Sequence, residues 1–391
     1  MNNILILDGM ERSALAATRS LGRKGCNVFV CDASPLSLAG SSKHCTQYLQ
    51  TPSPEKNPRD FIDTLLDIIK HHGIDVLLPM SDISTATVLN APEIVKAVKI
   101  PCPSYATYND VTNKTSLFKL ASKHAIPIPN TYFIDHISEL DNLVDRLSFP
   151  IVIKPSKSRI LKKNQWIRTH VQYAETKEKL FATIQQHEWL KDFPFMLQQY
   201  ISGQGQGIFA FYNNGRAVTF FSHKRLREKP PSGGVSVLCE STEVNPVMQS
   251  IAAKLLDTVG WHGVAMVEFK VAPDGTPYLM EINGRFWGSL QLSIDSGIDF
   301  PYLAYLLALG RELPTVSSYK TGVRSRWLLG DLDHLYLRLK EPSHTRGIGR
   351  KLRDIYEFLK LYQHNTRHEI NRIDDPKPFL FELRQYVQHA F

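Results

Sequence analysis

In the first hundred residues, short apolar runs alternate with segments whose apolar residues recur at helical spacing. The runs at 3–8, 27–32 and 75–79 predict buried strands with helices between them. This alternation is typical of a parallel sheet covered by helices. The first turn, Asp8-Gly-Met-Glu-Arg-Ser13, lacks the GxGxxG pattern, so a dinucleotide site and an NAD(P)-dependent enzyme are disfavoured.

Two polar strand ends would meet at the carboxyl edge of this predicted sheet. Asp8-Gly9 follows the first strand and Ser81-Asp82 follows the third. Ligands usually bind at that edge of an open parallel sheet. For Asp82, capping of the following helix is an equally good explanation.

Beyond Pro101-Cys-Pro103 the pattern predicts a second region. An amphipathic helix opens with Lys114, and the short buried strand at 149–155 carries Lys154 near its end. Taken alone, such a lysine is explained by methylenes that lie along apolar surface while the ammonium reaches water.

A series of apolar strands then follows. One runs over 195–201, and strands at 208–213 and 216–222 flank Asn214-Gly215, a dipeptide that favours a tight hairpin. We expect the next segment, 223–234, to be a basic and glycine-rich loop suited to covering phosphates.

The stretch 264–286 carries the most informative pattern of the chain, because two apolar runs surround Asp274-Gly275. If that dipeptide is a two-residue loop, Glu268 lies directly opposite Glu281. A longer loop would shift this pairing, and Pro273 leaves that alternative open because it cannot donate a ladder hydrogen bond. Asn283 then shares the face of Glu281, since side chains alternate along a strand. Like charges that face each other inside apolar strands repel, and they are costly to bury.

A hard divalent cation would neutralise the opposed carboxylates. Mg²⁺ prefers oxygen ligands and completes its shell with water and substrate phosphates. The plainer alternative is that each glutamate pairs with a surface lysine or arginine. Two glutamates in register, with Asn283 beside them and Arg285 following, favour the metal. The sequence therefore predicts a Mg²⁺ (or Mn²⁺) site at Glu268, Glu281 and Asn283.

Composition narrows the class of protein. A length of 391 residues allows two to three domains, and 43% hydrophobic residues allow a large core. No apolar run reaches the roughly 18 residues of a membrane span, and no signal-peptide pattern opens the chain. The five cysteines form no CxxC pair, which argues against a zinc or disulfide framework. We therefore expect a cytoplasmic chain.

Charge permits an anionic partner without naming it. The net charge is +8, and basic residues cluster at 154–163 and 224–229. A polyphosphate ligand explains those clusters as well as nucleic acid does, and no nucleic-acid-binding motif is present. Beyond Gly310 the chain is polar and basic, with an amphipathic helical pattern over 348–362. Core or interface packing is favoured for it, with a membrane-surface helix as the alternative.

The order of these features resembles the ATP-grasp superfamily, which includes carboxylate–amine ligases. The resemblance covers about residues 1–310. It rests on the N-terminal α/β pattern, on Lys114 at the start of a helix and on Lys154 near the end of a strand. It also rests on the segment Gln198-Gln-Tyr-Ile-Ser-Gly203 and on the pattern Glu268…Glu281-x-Asn283-x-Arg285. It implies an α/β protein with the ATP-grasp fold. The implied parts are an N-terminal parallel α/β (pre-ATP-grasp) domain at 1–111, an ATP-grasp domain at 112–310 with lobes dividing near 195, and a mostly helical C-terminal extension at 311–391.

The resemblance also implies roles for individual residues. The phosphates of ATP would contact Lys114, Lys154 and either Lys224 or Arg225. The adenine ring would meet the Gln198 side chain and the backbone of Gln199 and Ile201. The metal ligands would be Glu268, Glu281 and Asn283. Arg285 would hold the substrate carboxylate or the developing acyl phosphate, and Lys224 and Arg225 would share the catalytic role. The acidic ribose ligand usual after the hinge is replaced here by Gly205-Gln206-Gly207, which leaves the ribose contacts open.

The activity implied by the resemblance is an ATP-dependent ligase. A small-molecule or peptide carboxylate would be activated as an acyl phosphate and joined to an amine. Carboxylation through carboxyphosphate, phosphoryl transfer to another acceptor and a non-catalytic ATP-binding module are the alternatives. Neither the acid, the amine nor the oligomeric state follows from the sequence.

Overall fold

A computed structural model of the chain describes residues 2–157, 159–162, 165–231, 233–316, 318–342, 346–360 and 365–390. Its first region is a parallel sheet in the order β3-β2-β1-β4, as the alternating pattern predicts. The strands are β1 (Asn3–Ile6), β2 (Asn27–Asp32), β3 (Gln47–Gln50) and β4 (Val76–Leu78). The helices are α1 (Arg12–Arg23), α2 (Pro58–His72), α3 (Asp82–Leu89), α4 (Pro92–Ala97) and α5 (Tyr105–Thr112). The sequence did not predict β3, because its ends are exposed glutamines and its middle is only half-buried.

The second region is a small antiparallel sheet in the order β5-β10-β6-β9, with a separate β7-β8 ribbon. Its strands are β5 (Thr131–Ile134), β6 (Ile151–Pro155), β7 (Arg159–Lys162), β8 (Gln165–Arg168), β9 (Gln172–Ala174) and β10 (Phe195–Gln199). Its helices are α6 (Lys114–Lys123), α7 (Leu140–Leu143), α8 (Lys177–Gln186) and α9 (Glu188–Asp192). The predicted helix at Lys114 and the strand at Lys154 are both present.

The third region is a sheet in the order β15-β14-β11-β12-β13-β16-β17. Its strands are β11 (Gln204–Asn213), β12 (Arg216–Lys229), β13 (Val235–Thr242), β14 (Gly263–Val271), β15 (Pro277–Asn283), β16 (Arg324–Arg326) and β17 (Thr366–His368). Its helices are α10 (Pro246–Thr258), α11 (Leu290–Ser296), α12 (Phe300–Ala308), α13 (Leu328–Lys340), α14 (Ile348–Leu359) and α15 (Lys377–Ala390). Residues beyond 310 thus supply two strands of this sheet, and the proposed boundaries at 111 and 310 stay predictions.

The two predicted hairpins differ in how the structure treats them. Asn214 and Gly215 form the expected two-residue loop, with φ of 46° and 76°, and Asn213 pairs with Arg216. The segment 223–234, however, is not the predicted loop. Strand β12 continues to Lys229 and pairs with β13, because its charged side chains find partners on both sides of the ribbon.

The hairpin between β14 and β15 confirms that Glu268 faces Glu281, but by a different route. The amide of Ala272 donates to the carbonyl of Thr276, so the loop has three residues, with Gly275 at φ 88°. That loop alone would place Glu268 opposite Met280. A β-bulge adds one residue to β15 between Leu279 and Glu281 and restores the predicted pairing.

Both faces of the large sheet are packed. Phe209, Phe211 and Phe221 lie in one core, while the alternating residues Ile208 and Ala210 lie in the other. On α14 the predicted amphipathic pattern forms a helix, yet its apolar residues do not enter the core of this chain. Ile348, Leu352, Tyr356 and Leu359 are exposed, and Tyr362 lies outside the described residues.

Candidate active site

A cleft of about 460 Å³ lies between the small sheet and the large sheet. Strands β6 and β10 form one wall, and β11, β12 and β14 form the other. The residues of the sequence-based prediction that line it are Lys154, Gln198, Gln199, Ile201, Lys224, Arg225 and Glu268. Residues far apart in the chain therefore share one surface.

The other four predicted residues extend this surface through Glu268. Asn283 Nδ2 donates to Glu268 Oε1 at 3.0 Å and lies 3.5 Å from Glu281 Oε1. Lys114 Nζ is 2.8 Å from Glu281 Oε2. Arg285 Nη2 donates to Asn283 Oδ1 at 3.4 Å. The whole predicted set is thus connected by short contacts or by the walls of the cleft.

One end of the cleft offers a hydrogen-bond acceptor without a partner. Gln198 is only 1% exposed, and its Nε2 donates to Thr131 Oγ1 at 2.8 Å. Its Oε1 is buried and has no hydrogen-bond partner within the described part of the chain. An acceptor left in this way suits an amino group of a ligand, since a buried polar atom is costly to leave unpaired.

Lys154 lies in the middle of the cleft with little to neutralise it. Its side chain is nearly buried, Nζ is 3.6 Å from Met280 Sδ and 5.7 Å from the centre of the Phe118 ring. Burial lowers the pKa of Lys154 to about 8, although Glu281 opposes the shift. A weakly compensated ammonium at this point would gain from a ligand phosphate.

The pKa values of the two opposed glutamates are shifted in opposite directions. Coulombic attraction from Lys114 lowers the pKa of Glu281 to about 2, despite its burial. Burial and the charge of Glu281 raise the pKa of Glu268, although Arg225 Nη2 lies 2.9 Å from Glu268 Oε2. The carboxylates thus repel, and only one of them is fully compensated.

Lys224 and Arg225 point to different partners. Lys224 Nζ is 2.7 Å from Glu240 Oε1, and Glu240 also pairs with Arg324. Arg225 bridges Glu268 and Glu228. Arg225 therefore belongs to the carboxylate pair, while Lys224 lies at the rim of the cleft with half of its side chain exposed.

The N-terminal sheet reaches the site through Asp82. Arg285 Nε is 3.0 Å from Asp82 Oδ2, and half of the Asp82 side chain is exposed. The cap of α3 is Ser81, so Asp82 is free to make this pair. Asp8, at the other strand end, has a structural role instead, because its carboxylate accepts from the amides of Met80 and Ser81.

Comparison with known proteins agrees with this arrangement. A family model described as "ATP-grasp in the biosynthetic pathway with Ter operon" matches residues 191–330. The fold resembles an L-amino acid ligase from Bacillus licheniformis, at 16% identity and a TM-score of 0.62, with 79% of this chain and 74% of that chain covered. It also resembles a biotin carboxylase from Campylobacter jejuni, at 15% identity and a TM-score of 0.66, with 82% and 74% covered. The chain has the fold of the ATP-grasp superfamily.

A curated relative is similar over part of the ATP-grasp chain. The alpha-aminoadipate–LysW ligase LysX of Sulfurisphaera tokodaii is 23% identical over 193 residues. The match covers 46% of this chain and 64% of the relative, which is less than two thirds of its length. No helix within the described ranges of this ATP-grasp protein is long and apolar enough to cross a membrane.

The residues present fit a Mg²⁺ ion of the kind this superfamily implies. Two carboxylates face each other, and burial together with the charge of Glu281 raises the pKa of Glu268. Asn283 lies between their Oε1 atoms, and a half-turn of its amide would exchange nitrogen for oxygen there. The donor set would then be three oxygens, with substrate phosphates and water completing the shell.

Three residues of the ATP-grasp site escaped the sequence-based prediction. Asp82 was recognised only as a strand-end residue, and its pairing with Arg285 depends on how the regions pack. Glu240 carries no local pattern that marks it as the partner of Lys224. Met280 faces Lys154 because of the bulge, and no residue of the hairpin predicts that bulge.

Proposed function

We propose that the protein is an ATP- and Mg²⁺-dependent carboxylate–amine ligase. A carboxylate oxygen attacks the γ-phosphorus of ATP, the bond from that phosphorus to the β,γ-bridging oxygen breaks, and ADP leaves. The acyl phosphate is then attacked by an amine nitrogen, inorganic phosphate leaves, and the amine gives up a proton as the amide forms. The proposal assigns no covalent intermediate on the protein, because phosphoryl transfer depends mainly on positioning and charge stabilisation.

The opposed pair of Glu268 and Glu281 is the observation that carries this proposal. Their contacts with Lys114 and Arg225 support this proposal, because they bring two cations to the carboxylates, and Lys154 in the same cleft adds a third. A scaffold that bound nothing would gain stability by replacing one of the repelling carboxylates. The arrangement is instead suited to a polyanion that arrives with a divalent cation.

Each group has a distinct part in the proposed reaction. Mg²⁺ held by Glu268, Glu281 and Asn283 would neutralise charge on the phosphates. Lys154 binds the phosphates from the small sheet, where its compact ammonium is already dehydrated by burial. Arg285 holds the acceptor carboxylate with its planar fork, which can make two parallel hydrogen bonds. Gln198 Oε1 accepts a hydrogen bond from the adenine amino group.

The similar proteins support both the main proposal and one alternative. The names of the LysX relative and of the L-amino acid ligase describe ligases that join acids to amines or amino acids. The name of the biotin carboxylase supports carboxylation on the same fold. The chemistry of the opposed glutamates suits either reaction, and so a functional assay must separate them.

The test is ADP release by the purified protein with ATP, Mg²⁺ and pooled carboxylates and amines. We expect release that requires one acid and one amine, and an amide product by mass spectrometry. Glu281→Gln should keep the fold and lose most of this release, whereas the exposed Glu243→Gln should not. Release that depends on bicarbonate alone would establish the carboxylase instead. A Glu281→Gln variant with the wild-type rate in Mg²⁺ would refute the metal assignment.

A further inference from the structure

A second cavity, of about 370 Å³, lies away from the glutamate pair, beneath α13 and α14. Its floor is formed by β12, β13, β16 and β17. Leu238 of β13 lines this cavity, whereas the next residue, Cys239, belongs to the core shared with Phe209. Met266, on the same side of β14 as Glu268, belongs to that core too. The cavity therefore opens on the sheet face opposite the one that carries Glu268.

The cavity concentrates positive charge. Its lining has six arginines and one lysine but only three carboxylates. Three of the arginines pair with two acids outside the lining, Arg324 with Glu240, and Arg338 and Arg346 with Glu341. Counting those two acids as well leaves seven cations against five anions. The excess positive charge is local and lies in a concave surface, where water hydrates it less well than on an exposed helix.

Three buried polar atoms of the lining, Arg227 Nε, Thr366 Oγ1 and Asp331 Oδ1, have no hydrogen-bond partner among the described residues. Arg227 pairs with the buried Asp331 through Nη2, but its Nε is buried without a hydrogen-bond partner in the described ranges. Thr366 Oγ1 is also buried and has no hydrogen-bond partner in the described ranges. Arg353 lies at the exposed edge, and within the part of the chain that the structure describes it makes no hydrogen bond or ion pair.

The glutamate pair does not explain these features. A solvated basic surface would account for Arg353 alone, since isolated surface arginines are ordinary. It does not account for Arg227 and Thr366, which line the same concavity as an excess of guanidinium groups and whose buried donors lack a partner within the described ranges. An oxyanion supplies acceptors for all of them, and the planar fork of arginine matches phosphate oxygens in pairs.

We propose that this cavity binds a small phosphate-bearing molecule, at a site separate from the nucleotide cleft. Phosphate fits better than a single carboxylate because it brings about two negative charges to an excess of two cations, and three acceptor oxygens. The volume is at the lower end of the range for ligand pockets, so the ligand is the size of pyrophosphate or a small phosphate monoester.

Isothermal titration with pyrophosphate at about 0.15 M salt tests the site, because such salt screens diffuse attraction to a basic chain. A saturating non-hydrolysable ATP analogue with Mg²⁺ should be present to fill the cleft. We expect one equivalent of pyrophosphate to bind under these conditions. Titrations with inorganic phosphate and with glycerol phosphate then show whether free phosphate or an esterified ligand is preferred. Loss of all pyrophosphate binding once the analogue is present would overturn the proposal.

Matched variants separate a built site from general attraction to positive charge. Arg353→Gln removes an exposed cation from the cavity edge, and we expect affinity to fall about tenfold, as for loss of a charge-assisted hydrogen bond. Arg227→Gln should have a larger effect, with circular dichroism as the check on folding. Arg216→Gln removes an exposed cation from the far end of the same strand, and it should leave affinity unchanged. Equal losses in Arg353→Gln and Arg216→Gln would refute the site.

Discussion

Two clusters of buried charge in this protein are built in opposite ways. Where the C-terminal segment meets α1, Arg19 and Asp375 are 1% and 0% exposed, and every Arg19 side-chain nitrogen donates to an oxygen. Asp375 also accepts from Ser42 Oγ and from the amide of Lys43. In the cleft, by contrast, two carboxylates face each other and a third of the Glu281 side chain is exposed.

The difference distinguishes charged residues that hold the fold together from charged residues that suit a ligand. A buried ion pair whose polar atoms are all paired has nothing left to offer a ligand, and it fixes how two segments meet. Charges that repel, remain partly exposed and keep unused acceptors are costly unless something else binds them. The seam at Arg19 and Asp375 is thus a structural ion pair, whereas the cleft has the charges and the unpaired acceptor that suit a ligand.

The largest effect is expected when the seam is broken. Asp375→Ala leaves Arg19 buried without its counter-charge and should lower the free energy of unfolding by about 3–5 kcal/mol. Its neighbour Asp374 is half-exposed and pairs with the exposed Arg23, so Asp374→Ala should cost at most about 1 kcal/mol. Urea denaturation followed by circular dichroism measures both. Equal losses would show that the seam is no more than a surface pair.

The next effect concerns Arg285 in the cleft. Arg285→Lys keeps the charge but loses the planar fork, so kcat/KM for the acid should fall roughly tenfold to a thousandfold, about 1.5–4 kcal/mol. Affinity for ATP should stay nearly unchanged. Asp82→Asn is the control, because it removes the structural partner of Arg285 and leaves the fork in place. If both variants lose ATP binding and turnover together, Arg285 is a structural residue like Arg19.

Local sequence rules predict part of the cleft, but they do not predict the features that depend on how the chain packs. The alternation of side chains and the turn residues predict that Glu268 and Glu281 face each other, and the structure agrees. The intermediate step was wrong, because a three-residue loop and a bulge at Met280 compensate each other. The sequence does carry a signal for the loop, because Pro273 cannot donate a ladder hydrogen bond and glycine suits the left-handed last position of a three-residue loop. It carries no comparable signal for the bulge at Met280.

The seam could not be predicted at all from the sequence. Its partners lie more than 350 positions apart in the chain, and a lone arginine in α1 is normally a surface residue. The same holds for β16 and β17, which are three residues long and carry basic side chains. The prediction ends the strand of β12 at 222, because the basic and glycine-rich composition of 223–234 indicates a loop when the facing strand is unknown.

A smaller effect should appear in the pH dependence of nucleotide binding. Burial lowers the pKa of Lys154 to about 8 in the free protein, and a bound phosphate favours the charged form. Affinity for a non-hydrolysable ATP analogue should therefore fall as pH rises above 8, by roughly twentyfold between pH 7.5 and 9.5. Titration calorimetry measures this change. Lys154→Met should bind the analogue more weakly at pH 7.5, and its affinity should no longer depend on pH. If the affinity of that variant still falls with pH as in the wild type, another group causes the pH dependence.

The smallest effect is expected for Glu268→Gln. Asp375→Ala removes a charge that stabilises the folded protein, whereas Glu268→Gln removes a charge that the folded protein disfavours. Burial and Glu281 raise the pKa of Glu268, so its charged form is disfavoured in the folded protein. The folded state then holds a proton more tightly than the unfolded state, and wild-type stability is lost as pH rises through the folded pKa. Glutamine removes that dependence at the cost of a charge-assisted bond to Arg225. We therefore expect a change within about 1 kcal/mol, which shifts in favour of the variant as pH rises above about 4.3, the ordinary pKa of glutamic acid. Mg²⁺ without nucleotide should raise the melting temperature of the wild type but not of the variant, because only the wild type keeps both carboxylates. A variant destabilised as strongly as Asp375→Ala, with no response of the wild type to Mg²⁺, would place the glutamate pair among the structural ion pairs.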